Sequence, residues 1–130
     1  MYRSVTHNIR VTVVPQYLPD RSEPEARRYF WAYTVEIANQ GERAMQLRSR
    51  YWRITDASGH TEEVRGPGVV GEEPVIMPGN AFTYTSGCPL STPSGIMVGS
   101  YQMQLEDGRL LDVAIPAFSL DSPDTPRQLN

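Results

Sequence analysis

The loudest chemical signal in the chain is Gly66-Pro67-Gly68-Val69-Val70-Gly71, a formal G-x-G-x-x-G run. Where such a run follows a strand and opens a helix, the helix N-terminus holds a pyrophosphate on its free amides. Here Glu72-Glu73-Pro74 follows at once and Pro78-Gly79 closes the segment, which leaves no room for a helix. The two carboxylates would also repel a phosphate. The run therefore reads as a tight loop linking two sheets, with Val69 and Val70 plugging the end between them. Nucleotide binding is not expected there.

Metal chemistry would draw on His7, His60, Cys88 and the pairs Glu62-Glu63 and Glu72-Glu73. No two soft ligands share a C-x-x-C or H-x-x-x-H spacing. Adjacent glutamates on a strand point to opposite faces, so Glu62-Glu63 cannot chelate through both side chains. A weak site joining Glu72, Glu73 and His60 would need the chain to fold them together. Nucleophilic catalysis has less support. Cys88 has no histidine near it in sequence and reads as a small buried hydrophobe, and no G-x-S-x-G elbow exists. Neither a cofactor nor a catalytic residue is expected.

Recognition is better served. Arg48, Arg50 and Arg53 interleave with Tyr51 and Trp52, and arginine and aromatics dominate protein interfaces. The expected contact surface is Arg48, Arg50 and Tyr51 with Gly66, Gly68, Val69, Val70 and Gly71 of the neighbouring loop.

The elements that must hold these residues are strands. Ten glycines and eleven prolines punctuate the 130 residues, and no uninterrupted 12-residue stretch carries an apolar 3.6 period. Period-2 alternation appears instead at Asn8–Val14 and Arg28–Asn39, the latter carrying Tyr29, Trp31, Tyr33, Val35 and Ile37 on one face. A polar segment, Leu18–Arg28, separates the two and reads as a loop. In Ala44–Asp56 the alternation slips: Met45, Leu47 and Tyr51 keep one parity, Trp52 and Ile54 the other. One face cannot bury both sets without a bulge near Arg48–Tyr51. Shorter strands follow at about His60–Val64, Ala81–Ser86, Met97–Leu105 and Leu110–Ile115. A loop over Arg65–Gly79 and a crossing over Gly87–Gly95 separate them. Asp107-Gly108 supplies the positive φ of a hairpin turn. Pro116 cannot donate to a ladder, so its strand is expected to lie at an edge or to end there. About seven short strands at this spacing predict an all-β, immunoglobulin/fibronectin-type-III-like antiparallel sandwich, as one domain with its core at about 9–120. The tail 121–130 is expected to fray.

Composition narrows the partners. Net charge is −3 and every one of the 12 basic residues is arginine, which excludes lysine Schiff-base chemistry and a P-loop lysine. An acidic balance argues against a general nucleic-acid binder. No apolar run approaches a membrane span, and a single cysteine makes the cytoplasm the default compartment.

The blocks RYFWAYTVEIANQG, RYWRITDASG, VRGPGVVGEEPVIMPG, FTYTSG, TPSGIMVGSYQM and VAIPAFSL, in this order and spacing, resemble the successive motifs of the ApaG family. The resemblance covers about Ile9–Leu120. It implies a fibronectin-type-III-like sandwich, an association with divalent-cation (Co2+/Mg2+) resistance, and a gene neighbourhood containing diadenosine tetraphosphate hydrolase. It also implies use as a protein-binding module where similar domains are appended to larger eukaryotic proteins. The expected function is a non-catalytic protein-recognition module, with self-association through an exposed sheet edge open to it. The alternative is a sensor or enzyme for phosphorylated nucleotides or divalent cations.

Overall fold

The computed structural model describes residues 1–123. Its strands are β1 (Tyr2–Thr6), β2 (Ile9–Tyr17), β3 (Tyr29–Asn39), β4 (Met45–Asp56), β5 (Thr61–Pro67), β6 (Val75–Ile76), β7 (Ala81–Leu90), β8 (Ser94–Leu105) and β9 (Leu110–Asp121). They form two antiparallel sheets packed as a sandwich, ordered β1-β2-β3-β7 and β5-β4-β8-β9, with β6 paired to the start of β4. The fibronectin-type-III-like architecture read from the sequence is the one observed. Alternation explains the strands: Trp31, Tyr33, Val35 and Ile37 of β3 are buried between the sheets, while Thr34 and Glu36 face out. Inner-face residues of this kind make the core of a sandwich.

Several expectations need correction. β1 has no counterpart in the sequence reading. It is tied to β2 by a two-residue turn in which His7 and Asn8 both have positive φ. β7 does not end at Ser86 but runs through Gly87, Cys88 and Pro89 to Leu90, pairing with β3 throughout. An edge strand tolerates the proline because one side of its backbone needs no partner. The glycine run does not link the two sheets. It joins β5 to β6, both paired with β4, and the chain crosses to the other sheet after Ile76. Asp121, placed in the frayed tail, pairs with Ser94 in β9; the rest of that tail beyond residue 123 lies outside the described residues.

Two bulges set the faces. The β4–β8 register skips between Leu47 and Ser49, leaving Arg48 as the extra residue within the segment expected to slip. In β9, Pro116 and Ala117 lie opposite the single residue Val98, so the proline sits at a bulge on an edge strand. One flank of the sandwich is latched by side chains. Ser4 Oγ donates to the Ala114 carbonyl at 3.0 Å, Ala114 N donates to Thr6 Oγ1 at 3.2 Å, and the Tyr2 and Ser119 hydroxyls meet at 2.8 Å. At one end Asn39, almost fully buried, donates from Nδ2 to the Arg43 and Ile76 carbonyls at 2.8 and 2.9 Å. That amide ties β6 to the opposite sheet.

The tightest approach in the core is at Gly99, where a Cβ would lie 2.3 Å from the Tyr51 carbonyl oxygen and 2.9 Å from Trp52 Cε3. Neither backbone nor indole can retreat cheaply. Gly99→Ala is expected to cost about 2–3 kcal/mol in denaturant unfolding, and a loss below ~0.5 kcal/mol would show that β4 and β8 can separate freely.

Candidate functional site

The bulge at Arg48 decides what β4 presents. Beyond it Arg50, Trp52 and Ile54 face inward, while Ser49, Tyr51 and Arg53 face out. Trp52 is 3% exposed and packs edge-on against Tyr33 and Phe118, with ring centroids 5.4 and 5.8 Å apart. Tyr51 therefore does not share a face with Met45 and Leu47, which the slipped alternation had left as one choice. Arg50 pairs across the ladder with Gly66, and the guanidinium lies against that glycine, 3.0 Å from where a Cβ would stand. Arg50 Nη1 donates to the Pro67 carbonyl at 2.9 Å and to the Gly68 carbonyl at 3.0 Å.

The loop so held is a second small hairpin. Val69 and Glu72 exchange two backbone hydrogen bonds, at 2.9 and 2.8 Å, across Val70 (φ 45°) and Gly71 (φ 80°). Positive φ at both central residues is the turn that suits right-twisted strands. Gly68 is required for a different reason: a Cβ there would sit 2.2 Å from the Glu72 carbonyl oxygen. No helix starts at Gly71. Val69 is 1% exposed and enters the core as expected, but Val70 is 54% exposed and stands at the tip rather than plugging the sandwich.

Behind the loop lies a cleft of about 210 Å³, lined by Tyr33 and Arg50, by Trp52, Val69, Val70 and Gly71, and by Tyr84 and Ser86. The Tyr84 hydroxyl hydrogen-bonds the Tyr101 hydroxyl, which is sealed in the core. Burial raises the pKa of Tyr33, Tyr84 and Tyr101 above the usual tyrosine value and outweighs the opposing attraction of Arg50. All three hydroxyls therefore keep their protons. Arg50 makes no ion pair with any described carboxylate, whereas Arg48 Nε lies 3.3 Å from Glu73 Oε1.

The outer face carries a different surface. Arg65 lies over the Tyr51 ring at 4.5 Å, and the Tyr51 hydroxyl donates to Glu63 Oε2 at 2.7 Å. That bond to an acceptor carboxylate raises the tyrosine's pKa. Arg48, Tyr51, Arg65, Gln102 and Asp112 border a shallow depression of about 630 Å³.

The expected contact residues are thus brought together at one end of β4 and β5, but on two faces. Val69, Val70 and Gly71 border the cleft; Arg48, Tyr51 and Gly66 border the outer depression; Arg50 borders both, and Gly68 shapes the loop between them. His60 and Glu72 lie beyond opposite ends of β5, and among the described residues no three His, Cys, Asp or Glu side chains cluster as metal ligands. Cys88 is buried, and its thiol is pushed up to about 11 by desolvation, with nearby Glu62 adding to the shift. Sequence reasoning missed Tyr33, Tyr84, Tyr101 and Ser86. The available signal was tyrosine, not phenylalanine, at inward-facing positions, since a buried hydroxyl needs a partner.

Residues 19–105 match the model of the ApaG domain. The chain belongs to the ApaG family. It is 62% identical to Protein ApaG of Brucella anthropi over 130 residues, 100% of both chains. It is also 62% identical to Protein ApaG of Rhodospirillum centenum over 123 residues, 95% of both. The crystal structure of an ApaA protein from Bordetella pertussis superposes with a TM-score of 0.88 at 45% identity, covering 93% of this chain and 98% of that one.

A β-branched residue at φ 45° is strained, because Cβ crowds the carbonyl in the left-handed region. Val70→Asn, which suits the first central position of this turn, is expected to raise stability by about 0.5–1 kcal/mol in denaturant melts; a loss would mean Val70 makes contacts that outweigh its strain. The tyrosines give a pH dependence with a definite sign. Their folded pKa values lie above the unfolded value of 10.0, so the folded state holds more protons at high pH. The associated stability is whole below pH ~10 and is lost as pH rises through the folded values. Absorbance titration of the native protein should leave Tyr84 and Tyr101 un-ionised at pH ~11, and their ionisation before unfolding would contradict the burial.

Proposed function

We propose that this ApaG-family chain is a non-catalytic recognition module whose partner is a protein. The observation that carries the reading is the preset loop. Arg50 clamps its two carbonyls, Val69 anchors it in the core, and Val70 is held exposed at the tip beside the Arg48–Tyr51–Arg65 face. A surface fixed before binding loses little freedom on association. Aromatic and arginine side chains next to an apolar tip are the types that concentrate interface energy.

The rival reading, a sensor or enzyme for phosphorylated nucleotides or divalent cations, gains no support from the glycine run, which ends in a hairpin turn. On the recognition reading, any contribution to Co2+/Mg2+ resistance runs through the partner. No described helix is long and apolar enough to cross a membrane, and the lone buried thiol suits action in the cytoplasm. An exposed sheet edge is where a partner strand or a second copy would add.

Val70→Asp alters an exposed position and Tyr51→Ala a half-buried one on the outer face, and both leave Arg50, which holds the loop, in place. Each is expected to change stability by less than ~1 kcal/mol. Each should also cut recovery of a specific partner from native lysate at least about tenfold. Equal recovery by wild type and both variants, at unchanged melting temperature, would remove the loop and its neighbouring face from the function.

A further inference from the structure

We propose that the cleft behind the glycine loop is a receptor for one carboxylate group, which the recognition reading above, on which this rests, assigns to an acidic side chain of the partner. The cleft offers donors that its own residues leave unused. Arg50 uses Nη1 on the Pro67 and Gly68 carbonyls, while Nε and Nη2 make no hydrogen bond to the described residues. The Tyr84 and Tyr101 hydroxyls are joined by one hydrogen bond, which uses one of their two protons. Tyr101 is sealed in the core and Tyr84 lines the cleft, so with Tyr101 donating, the Tyr84 proton is left for an occupant. The Ser86 and Tyr33 hydroxyls complete the wall, and no carboxylate lines the cleft.

Size and charge select the occupant. About 210 Å³ is below the roughly 300–1,000 Å³ of sites that enclose whole small molecules, so it suits a side chain's head group rather than a nucleotide. Arg50 is the one cation lining it. Glu72 and Glu73 flank the loop, and Glu62 lies close enough to act on Cys88 across the same flank. A dianion such as phosphate would face that repulsion with a single positive charge to hold it. A planar monoanion matches the guanidinium's parallel donors. Trp52 and Val69 beside the guanidinium exclude water and strengthen such a charge-assisted bond.

The test is an NMR titration of the 15N-labelled full chain with four probes: acetate, inorganic phosphate, a capped peptide with one central Glu, and its Gln counterpart. The expected result is saturable movement of Arg50 Nε–Hε and of the Val69–Gly71 amides with acetate and, more tightly, with the Glu peptide. The Gln peptide and phosphate should leave them in place. Tyr84→Phe, which keeps the ring and the packing, should weaken binding about 3- to 10-fold. A Glu peptide no tighter than acetate keeps the carboxylate receptor but overturns its assignment to a protein partner in favour of a small free acid. Absence of saturation with both carboxylates, phosphate moving the same signals equally, or unchanged affinity in Tyr84→Phe would each overturn the receptor. Partner capture that survives Tyr84→Phe and excess acetate would do so too, leaving the recognition module standing. Carboxylate binding by a chain that captures no partner would do the reverse.

Discussion

A single extra residue in β4 decides what this sandwich buries and what it shows. Without the bulge at Arg48, the parity that buries Met45 and Leu47 would also bury Ser49, Tyr51 and Arg53, and would turn Trp52 out to solvent. Burial of a tryptophan outweighs the few tenths to one kcal/mol that a disrupted ladder position costs, so the slip is strongly favoured. Its by-product is chemical. The shift that brings Trp52 to Tyr33 and Phe118 also turns Arg50 toward the interior, where Gly66 leaves room for it.

An inward arginine needs its charge hydrated or hydrogen-bonded. Arg50 meets that need with two backbone carbonyls and a position at the mouth of the cleft, without a carboxylate. Hydrogen bonds to a charged donor are worth about 1.5–3 kcal/mol each, enough to offset partial desolvation and fix the loop. The same charge lies near three buried tyrosine hydroxyls, and there desolvation wins over attraction: their pKa values rise, not fall. The interior therefore carries one permanent cation among neutral donors. By contrast, the ion pair of Arg43 with Asp107 is solvent-exposed and contributes little to stability.

What the sequence made legible follows from which forces are local. The alternation of β3, the bulge in β4 and the edge position of Pro116 are set by side-chain period and by a missing amide, and both are written in adjacent residues. β1 was hidden because its burial alternates only between partial and exposed, and because its hold on β9 comes from Ser4, Thr6 and Tyr2 meeting residues more than a hundred positions away. Its turn uses His7-Asn8, without the glycine that usually marks such a pair. β7 was cut short because Gly87 and Pro89 read as breakers. In the structure the Phe30 ring lies over Gly87, 2.7 Å from where a Cβ would be, which makes that glycine part of the sheet's packing. The loop half of the candidate site could be read from glycine spacing. The tyrosine half could not, since hydroxyl groups from β3, β7 and β8 meet only through the sheet order.

That order also gives the molecule two unlike flanks. β1 and β9 face each other across the sandwich and are latched by side-chain hydrogen bonds. On the opposite flank β7 and β5 are the sheet edges, and the Arg50 cleft opens between their sheets, closed at one end by the glycine loop. Edges invite pairing unless charge or proline blunts them. β5 is blunted by Glu62, Glu63, Arg65 and Pro67, and β7 by Pro89. Indiscriminate strand addition is thereby discouraged on the flank where the preset loop, Arg50 and the Tyr84 hydroxyl all lie. On the recognition reading proposed above, a partner docking on this flank would meet Val70 with an apolar contact and offer an acceptor to Arg50 Nε and Nη2, so that its specificity would come from side-chain chemistry.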